Sequence, residues 1–292
     1  LAAALPAPGR VGGVAPAAAA PMLERRIPVS GEALPVVGIG TWRVFDVGAS
    51  PAERAPIKEV LRRLAELGGK VIDSSPMYGA AESVVGEVGS EVGVLDRLFL
   101  ATKVWTSGRR AGVAQMEESF RRLRTKRMDL MQIHNLLDWP THLATVREWK
   151  DRGRIRYVGV THYTRSAYDE LERVLRGERL DFVQINYSLG ERDAERRILP
   201  LARERGVAVI ANRPFAEGAL FPRVRGKPVP QWAAEIDCES WAQIFLKWIL
   251  AHPAITCVIP GTGKPEHLVD NMKAGTGRLP DPAMRERIAA SF

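Results

Sequence analysis

The sequence predicts a single (β/α)8 TIM barrel preceded by a short β-hairpin. Two observations support this fold: short apolar, β-branched segments alternate with longer amphipathic segments, and the alternation repeats eight times. Apolar strands that are flanked by helices are typical of a parallel sheet buried on both faces. Eight such units in about 250 residues match a closed barrel in number and in size.

The hairpin is predicted from two apolar segments, 27–29 and 34–36, on either side of the turn residues Ser30 and Gly31. The eight barrel strands are then predicted at 36–40, 70–73, 98–103, 129–134, 157–161, 182–186, 207–211 and 255–259. Helical periodicity is found between them at 57–67, 113–123, 167–175, 194–205 and 241–250.

A doubly wound open sheet is the competing fold. It requires a glycine-rich phosphate loop after an early strand, with the spacing G-x-G-x-x-G. The segment that begins at Gly38 and Gly40 has Arg43 where the third glycine should stand. The closed barrel is therefore favoured.

Composition excludes several other classes of protein. Hydrophobic residues make up 46% of the chain and charged residues 26%, as in a globular protein with a large core. Two cysteines are too few for a disulfide framework, and neither has the neighbours of a zinc site. No segment after the first 22 residues approaches the roughly 18 apolar residues of a membrane span. We therefore expect no membrane-spanning helix.

The net charge of +8 raises the question of a nucleic-acid partner. The densest basic stretch, 121–127, ends a predicted helix, where cations complement the helix dipole. Aromatic residues, which a platform for single-stranded nucleic acid needs, are absent from that stretch. We therefore expect no nucleic-acid partner, and the pattern leaves the oligomeric state open.

The amino-terminal residues differ from the rest of the chain. Residues 1–22 are rich in Ala, Pro, Gly and Val, with a single charged residue, Arg10. We divide the chain into a low-complexity leader at 1–25 and the barrel at 26–292. The leader is either a disordered tail or the back half of an export signal, with Ala17 to Ala20 resembling a cleavage site. The first alternative predicts a cytoplasmic protein and the second a periplasmic one.

The predicted strand ends carry a distinctive set of side chains. The second, third and fourth strands end in Asp73, Lys103 and His134, and Tyr78 follows in the loop after Asp73. Each alone has an ordinary structural explanation, such as a helix cap or a buried histidine. Function in this fold gathers at the carboxyl ends of the strands, so the four should share one rim. At that rim, the carboxylate of Asp73 would offset the free-energy cost of confining the charge of Lys103.

These four groups form a coherent set for carbonyl reduction. Lys103 beside Tyr78 should favour the phenolate and lower the pKa of the tyrosine. A tyrosine tuned in this way is a usable general acid toward a carbonyl oxygen, and His134 can donate a hydrogen bond to the same oxygen. The set lacks a reductant, so a hydride-carrying cofactor is implied.

Four segments of the chain resemble the aldo-keto reductase family. They are 71–82 with Asp73 and Tyr78, 99–104 with Lys103, 123–134 ending in His134, and 150–160 before the fifth strand. The resemblance covers about 26–292. It implies an oxidoreductase that reduces aldehydes or ketones to alcohols by hydride transfer from NADPH, with NADH as an alternative. By the same resemblance, Tyr78 is the proton donor, Lys103 paired with Asp73 lowers its pKa, and His134 orients the substrate.

The resemblance also implies a set of cofactor-binding residues, with the cofactor extended across the barrel mouth and no Rossmann domain. Two positions depart from the family pattern: His162 stands where an asparagine is usual, and Asn212 where many members have a stacking tyrosine. The implied residues are Thr41, Trp42, Arg43, Asp73, Thr161, His162, Gln184, Asn212, Arg213, Pro214, Phe215, Gly261, Thr262, Lys264, His267, Asp270 and Asn271.

Substrate contacts are expected from Trp42, Tyr78, His134 and Trp232, around an open pocket that accepts varied aldehydes or ketones. The physiological substrate and the preference between the two cofactors are left open.

Two other functions remain as alternatives. One is a non-enzymatic barrel that binds NADP as a redox sensor or as a subunit. The other is a metal-dependent barrel hydrolase, with zinc held by Asp73, His134 and His162 and with Lys103 as an extra ligand. The first strand lacks a His-x-His pair and the chain has five histidines, so we expect no metal.

Overall fold

The structure is a computed structural model that describes residues 20–292. Most of the predicted leader, residues 1–19, lies outside the described residues, so its two alternatives stay predictions. Within the described part, no helix has both the length and the apolar character needed to cross a membrane.

The predicted hairpin is confirmed. Strand β1 (Glu24–Arg26) pairs antiparallel with β2 (Ala33–Pro35), a few residues earlier than the predicted segments. Pairing ends at Ile27 because its carbonyl accepts the N–H groups of Ser30 and Gly31, which closes the turn. Gly31 has φ +72°, a left-handed conformation that glycine adopts without strain. Ile27 and Leu34 are buried with the inward side chains of the barrel, so the hairpin closes its amino-terminal end.

Eight parallel strands follow, each pairing with its neighbours in chain order. Parallel bridges between Val37 and Val258 and between Gly40 and Gly261 join the last strand to the first and close the ring. All eight predicted strands are confirmed to within a few residues. The strands are β3 (Ile39–Gly40), β4 (Val71–Asp73), β5 (Phe99–Val104), β6 (Met128–His134), β7 (Ile155–Thr161), β8 (Phe182–Asn186), β9 (Ala208–Asn212) and β10 (Ile255–Val258).

Helices surround the strands. They are α1 (Pro51–Glu66), α2 (Ala81–Glu91), α3 (Arg109–Arg122), α4 (Trp139–Asp151), α5 (Tyr168–Gly177), α6 (Ile198–Glu204), α7 (Phe221–Val224), α8 (Trp241–Leu250), α9 (Pro265–Lys273) and α10 (Pro282–Ser291). Periodicity did not reveal α2, which contains two glycines that weaken the helical pattern. Gly86 in α2 is required by packing, since a Cβ there would lie 2.1 Å from the carbonyl oxygen of Arg122.

The barrel interior divides into an apolar and a polar half. Phe99, Tyr157 and Phe182 pack against one another at ring-centroid distances between 5.5 and 6.0 Å. These aromatic side chains share a buried cluster with the hairpin residues, at the amino-terminal end of the barrel. The polar side chains that end the strands are therefore left at the opposite, carboxyl-terminal mouth.

Candidate active site

A buried ion pair lies at the centre of the mouth. The Nζ atom of Lys103 on β5 is 2.7 Å from Oδ2 of Asp73 on β4, and it donates a second hydrogen bond to the carbonyl oxygen of Ser74 at 2.6 Å. Lys103 is fully buried and Asp73 is 3% exposed. Burial acts to lower the pKa of Lys103, but the charges of Asp73 and Tyr78 outweigh it and the net pKa is raised. The side chain is therefore a charged ammonium.

The second carboxylate oxygen of Asp73 is held by two amides. Its Oδ1 atom accepts from Nε2 of Gln184 at 2.8 Å and from Nε2 of Gln132 at 3.1 Å. The buried charge is thus fully hydrogen-bonded, as its burial demands. Gln132 was missed by the sequence analysis, although it precedes His134 by two positions on one strand and so shares its face.

Tyr78 lies directly against the ion pair. Its backbone N–H donates to the carbonyl oxygen of Ser75 at 3.0 Å, and the centre of its ring is 5.0 Å from Nζ of Lys103. Burial raises the pKa of Tyr78 more than Lys103 lowers it, and Asp73 opposes Lys103. The sequence predicted that Lys103 lowers the pKa of Tyr78. This prediction is wrong, because the loss of solvent disfavours the phenolate more strongly than the ammonium of Lys103 favours it.

His134 completes the group. Its ring meets the ring of Tyr78 edge-on, with centroids 5.9 Å apart, and its Nδ1 is 3.1 Å from Oγ of Ser75. Burial, followed by the charges of Lys103 and His162, lowers the pKa of His134 to about 2. The imidazole is therefore neutral at ordinary pH. The structure brings Asp73, Tyr78, Lys103 and His134 together at one rim; their chemical roles stay predictions.

Trp105 is a second residue that the sequence analysis missed. It follows β5 by one position, its ring is 6.3 Å from that of His134, and 39% of its surface is exposed. Its carbonyl oxygen accepts from Nε2 of Gln115 at 3.1 Å, which anchors the loop to α3. Its position two residues after Lys103, at the same strand end, could have identified it.

The predicted cofactor residues near the first strand differ in their surroundings. Thr41 is buried, and its hydroxyl oxygen lies 3.0 Å from the carbonyl oxygen of Asp73 and 2.9 Å from Oγ of Ser74. Trp42 is 40% exposed, with the guanidinium of Arg43 stacked 4.1 Å from its ring centre. Thr41 thus supports the end of β4, whereas Trp42 and Arg43 are accessible to a ligand.

Thr161 and His162 end β7 beside Gln184. The hydroxyl of Thr161 donates to Oε1 of Gln184 at 3.2 Å, which orients that amide. Nδ1 of His162 accepts from the backbone N–H groups of Tyr163 and Thr164, at 3.0 and 3.2 Å. Burial lowers the pKa of His162, so the ring is neutral and its proton lies on Nε2. A hydrogen-bond donor thus stands where the usual asparagine would be.

An unpaired polar atom lies at the last residue of β9. Oδ1 of Asn212 is buried without a hydrogen-bond partner among residues 20–292. Arg213 forms an ion pair with Glu217 at 2.5 Å, and the Phe215 ring packs on Phe221 at 5.0 Å, while Pro214 is buried. A buried acceptor of this kind is an exception that calls for a donor from a ligand or a water molecule.

The segment after β10 leads into the amino end of α9. No side chain caps this helix, whose N-cap residue is Lys264, and Oγ1 of Thr262 accepts the N–H of Lys264 at 3.1 Å. Gly261, Lys264 and His267 are exposed. The free N–H groups and the exposed cation together suit a phosphate group.

Asp270 and Asn271 lie farther along the same helix. The carboxylate of Asp270 accepts from Oγ of Ser240 at 2.8 Å and from Nε2 of Gln243 at 2.7 Å. Asp270 therefore holds α9 against α8, and Asn271 is buried beside it. Their predicted roles toward a cofactor stay predictions.

Two further predictions concern Trp232 and a metal site. The ring of Trp232 lies 5.5 Å below the guanidinium of Arg287, and its contact with a substrate stays a prediction. Among residues 20–292, no three His, Cys, Asp or Glu side chains are grouped so that they could hold a metal ion. The zinc site of the hydrolase alternative is therefore not formed by Asp73, His134 and His162.

Comparisons with known proteins bear on the family and the fold of the chain. A family model described as "Aldo/keto reductase family" matches residues 36–289. A methylglyoxal reductase of Escherichia coli is 31% identical over 258 residues, which cover 86% of this chain and 89% of that protein. An aldo-keto reductase of Klebsiella pneumoniae, solved in complex with NADPH, is similar with a TM-score of 0.74 and 27% identity, covering 93% of this chain and 96% of that one.

Proposed function

The chain belongs to the aldo/keto reductase family, and we propose that it reduces the carbonyl group of aldehydes or ketones to an alcohol with NADPH. One observation carries the proposal: the phenol of Tyr78 lies against the Lys103–Asp73 ion pair and beside the neutral ring of His134. The Klebsiella relative, whose structure contains NADPH, supports the choice of cofactor.

The proton for the product alcohol comes from Tyr78. Because burial raises the pKa of this phenol, its hydroxyl keeps its proton until negative charge develops on the carbonyl oxygen. The ammonium of Lys103 then stabilises the phenolate that remains, and Asp73 keeps that ammonium charged. When bound, the nicotinamide supplies the hydride that the carbonyl carbon accepts.

The chain's own residues fit such a cofactor at both ends. The unpaired acceptor of Asn212, the amide of Gln184 and the Nε2–H of His162 suit a carboxamide, which both donates and accepts hydrogen bonds. The uncapped amino end of α9, with Lys264 beside it, suits the phosphate of the adenosine half. Because Lys264 is the lysine at that helix end, the preference for the additional phosphate of NADPH depends on this residue, and NADH is proposed as a weaker hydride donor.

The substrate is proposed to be a small or medium-sized aldehyde or ketone. Trp42 and Trp105 are both exposed, so they can form an open apolar wall at the mouth. The Escherichia coli relative is named as a methylglyoxal reductase, which makes this 2-oxoaldehyde the first compound to test.

The test is oxidation of NADPH, and separately of NADH, with a panel of aldehydes that includes methylglyoxal. The native chain should turn over several of them. In Tyr78→Phe, kcat should fall about 10²–10⁴-fold, and a fluorescence titration should show that the variant still binds NADPH. Binding without turnover of any aldehyde would instead favour the NADP-binding sensor. A preference for one compound by several orders of magnitude would contradict the open pocket.

A further inference from the structure

Ser75 connects the two sides of the active site. It lies in the turn between β4 and Tyr78 and is fully buried. Its carbonyl oxygen accepts the backbone N–H of Tyr78 at 3.0 Å, while its hydroxyl oxygen is 3.1 Å from Nδ1 of His134. The N–H of Met77 points at the same hydroxyl oxygen from 3.5 Å, as a weak donor. One residue therefore contacts both groups that would face a carbonyl oxygen.

The protons at this contact can be assigned by counting donors and acceptors. A neutral imidazole carries one N–H, and the Ser75 hydroxyl carries one proton. If Nδ1 of His134 held the ring proton, it would donate to Oγ of Ser75, and the serine's own proton would have no acceptor within residues 20–292. Leaving a buried hydroxyl unpaired costs about 1–3 kcal/mol.

The opposite arrangement pairs both the hydroxyl of Ser75 and Nδ1 of His134. Oγ of Ser75 accepts from Met77 and donates its proton to Nδ1 of His134, which leaves the ring proton on Nε2. Within residues 20–292, Nε2 makes no hydrogen bond, so its N–H is available to a ligand. The nearby ammonium of Lys103 opposes a second proton on the ring.

We propose that Ser75 is a positioning residue that holds His134 as the Nε2–H tautomer, so that the imidazole presents a donor and not an acceptor to the substrate carbonyl. The tautomer follows from the contacts of the neutral ring, whereas its use in orienting a carbonyl rests on the proposed reductase function. The turn that contains Ser75 thus orients two donors, the phenol of Tyr78 and the imidazole of His134, toward the oxygen of the substrate carbonyl.

The decisive measurement is nitrogen NMR of the native chain with isotope-labelled histidine at neutral pH. The signals of His134 are assigned by their loss in His134→Gln. We expect Nε2 to be protonated and Nδ1 to be an unprotonated acceptor. A proton on Nδ1 in the native chain would overturn the proposal, and this result does not depend on any variant folding.

The variant Ser75→Ala tests whether Ser75 is the cause of this tautomer. We expect the two tautomers of His134 to mix in this variant, and kcat/KM for an aldehyde to fall about 3–10-fold with an unchanged KM for NADPH. Thr145→Val is the matched control, since it removes a buried hydroxyl on α4 that bonds only within its helix. An unchanged tautomer in Ser75→Ala would reject Ser75 as its cause.

The tautomer and the reductase function can fail separately. If the native chain shows the expected tautomer and reduces no carbonyl compound, the assignment stands and the proposed function falls. If it reduces aldehydes with the proton on Nδ1, the function stands and the role of Ser75 falls.

Discussion

The 2.7 Å ion pair between Lys103 and Asp73 has almost no contact with solvent. Such a pair is costly to break, because removal of one partner leaves the other charge buried and unpaired. Two amides also donate to the carboxylate of Asp73, and a backbone carbonyl oxygen accepts from the ammonium of Lys103. The pair is therefore a structural element of the barrel mouth, and its ammonium is the charge that faces the ring of Tyr78.

Lys103→Met should destabilise the fold by about 3–5 kcal/mol, because it leaves the carboxylate of Asp73 without its cation. The double variant Lys103→Met/Asp73→Asn should recover part of this loss, since both buried charges are gone. Denaturant unfolding at neutral pH measures both free energies. Lys126→Met, an exposed lysine, is the control. A loss below about 1 kcal/mol in Lys103→Met would mean that water reaches the pair.

Stability should fall in acid because of buried neutral histidines. Burial lowers the pKa of His134 to about 2 and that of His252 to about 4. An unfolded histidine binds a proton below about pH 6.5, whereas these folded rings do not, so acid favours the unfolded chain. Stability is thus complete above about pH 6.5 and is lost as the pH falls toward the folded values.

Denaturant midpoints from about pH 8 down to pH 5 test this dependence. His134→Gln, which removes one of the two groups, should make the decline shallower. The same decline in the native chain and in this variant would show that His134 is protonated in the folded state.

Activity should show a different pH dependence from stability. Burial raises the pKa of Tyr78, so the acid form of the phenol persists through neutral pH. We expect reductase kcat to be level from about pH 6 to 9 and to decline only above about pH 10, where the phenol loses its proton. Stopped-time assays with NADPH and one aldehyde would record the profile. A decline centred near neutrality would point to a different proton donor.

Trp105→Ala should change substrate preference more than turnover. Loss of the indole removes apolar contact area near His134, so KM for aromatic aldehydes should rise roughly tenfold, while methylglyoxal, which is small, changes little. Leu67→Ala removes an apolar side chain of similar exposure after α1 and is the control. Equal effects on large and small aldehydes would place the indole outside the substrate site.

Lys264→Ala should distinguish the two nicotinamide cofactors. If its ammonium contacts the additional phosphate of NADPH, its loss should raise KM for NADPH roughly tenfold and leave KM for NADH nearly unchanged. Lys126→Ala serves as the control for a change of net charge. An equal rise in KM for NADPH and for NADH would instead place Lys264 at the pyrophosphate that both cofactors share.

The alternation of buried strands and amphipathic helices was readable from the sequence, because burial patterns repeat over a few residues. It predicted eight strands, their order and the rim shared by Asp73, Lys103 and His134. The helices α2, α4, α7 and α10 were not among the predicted periodic segments. Two glycines weaken the helical pattern of α2, and one of them, Gly86, packs against the end of α3.

Only the tertiary structure decided which polar atoms meet. Ser75 reaches His134, and Gln132 reaches Asp73, across 59 residues of chain. The direction of the pKa shift of Tyr78 could not be predicted from the sequence either, because it depends on how far the folded barrel mouth excludes solvent from the phenol. Local periodicity determines the elements, whereas barrel register and burial determine partners and charge states, since these depend on atoms that are distant in sequence.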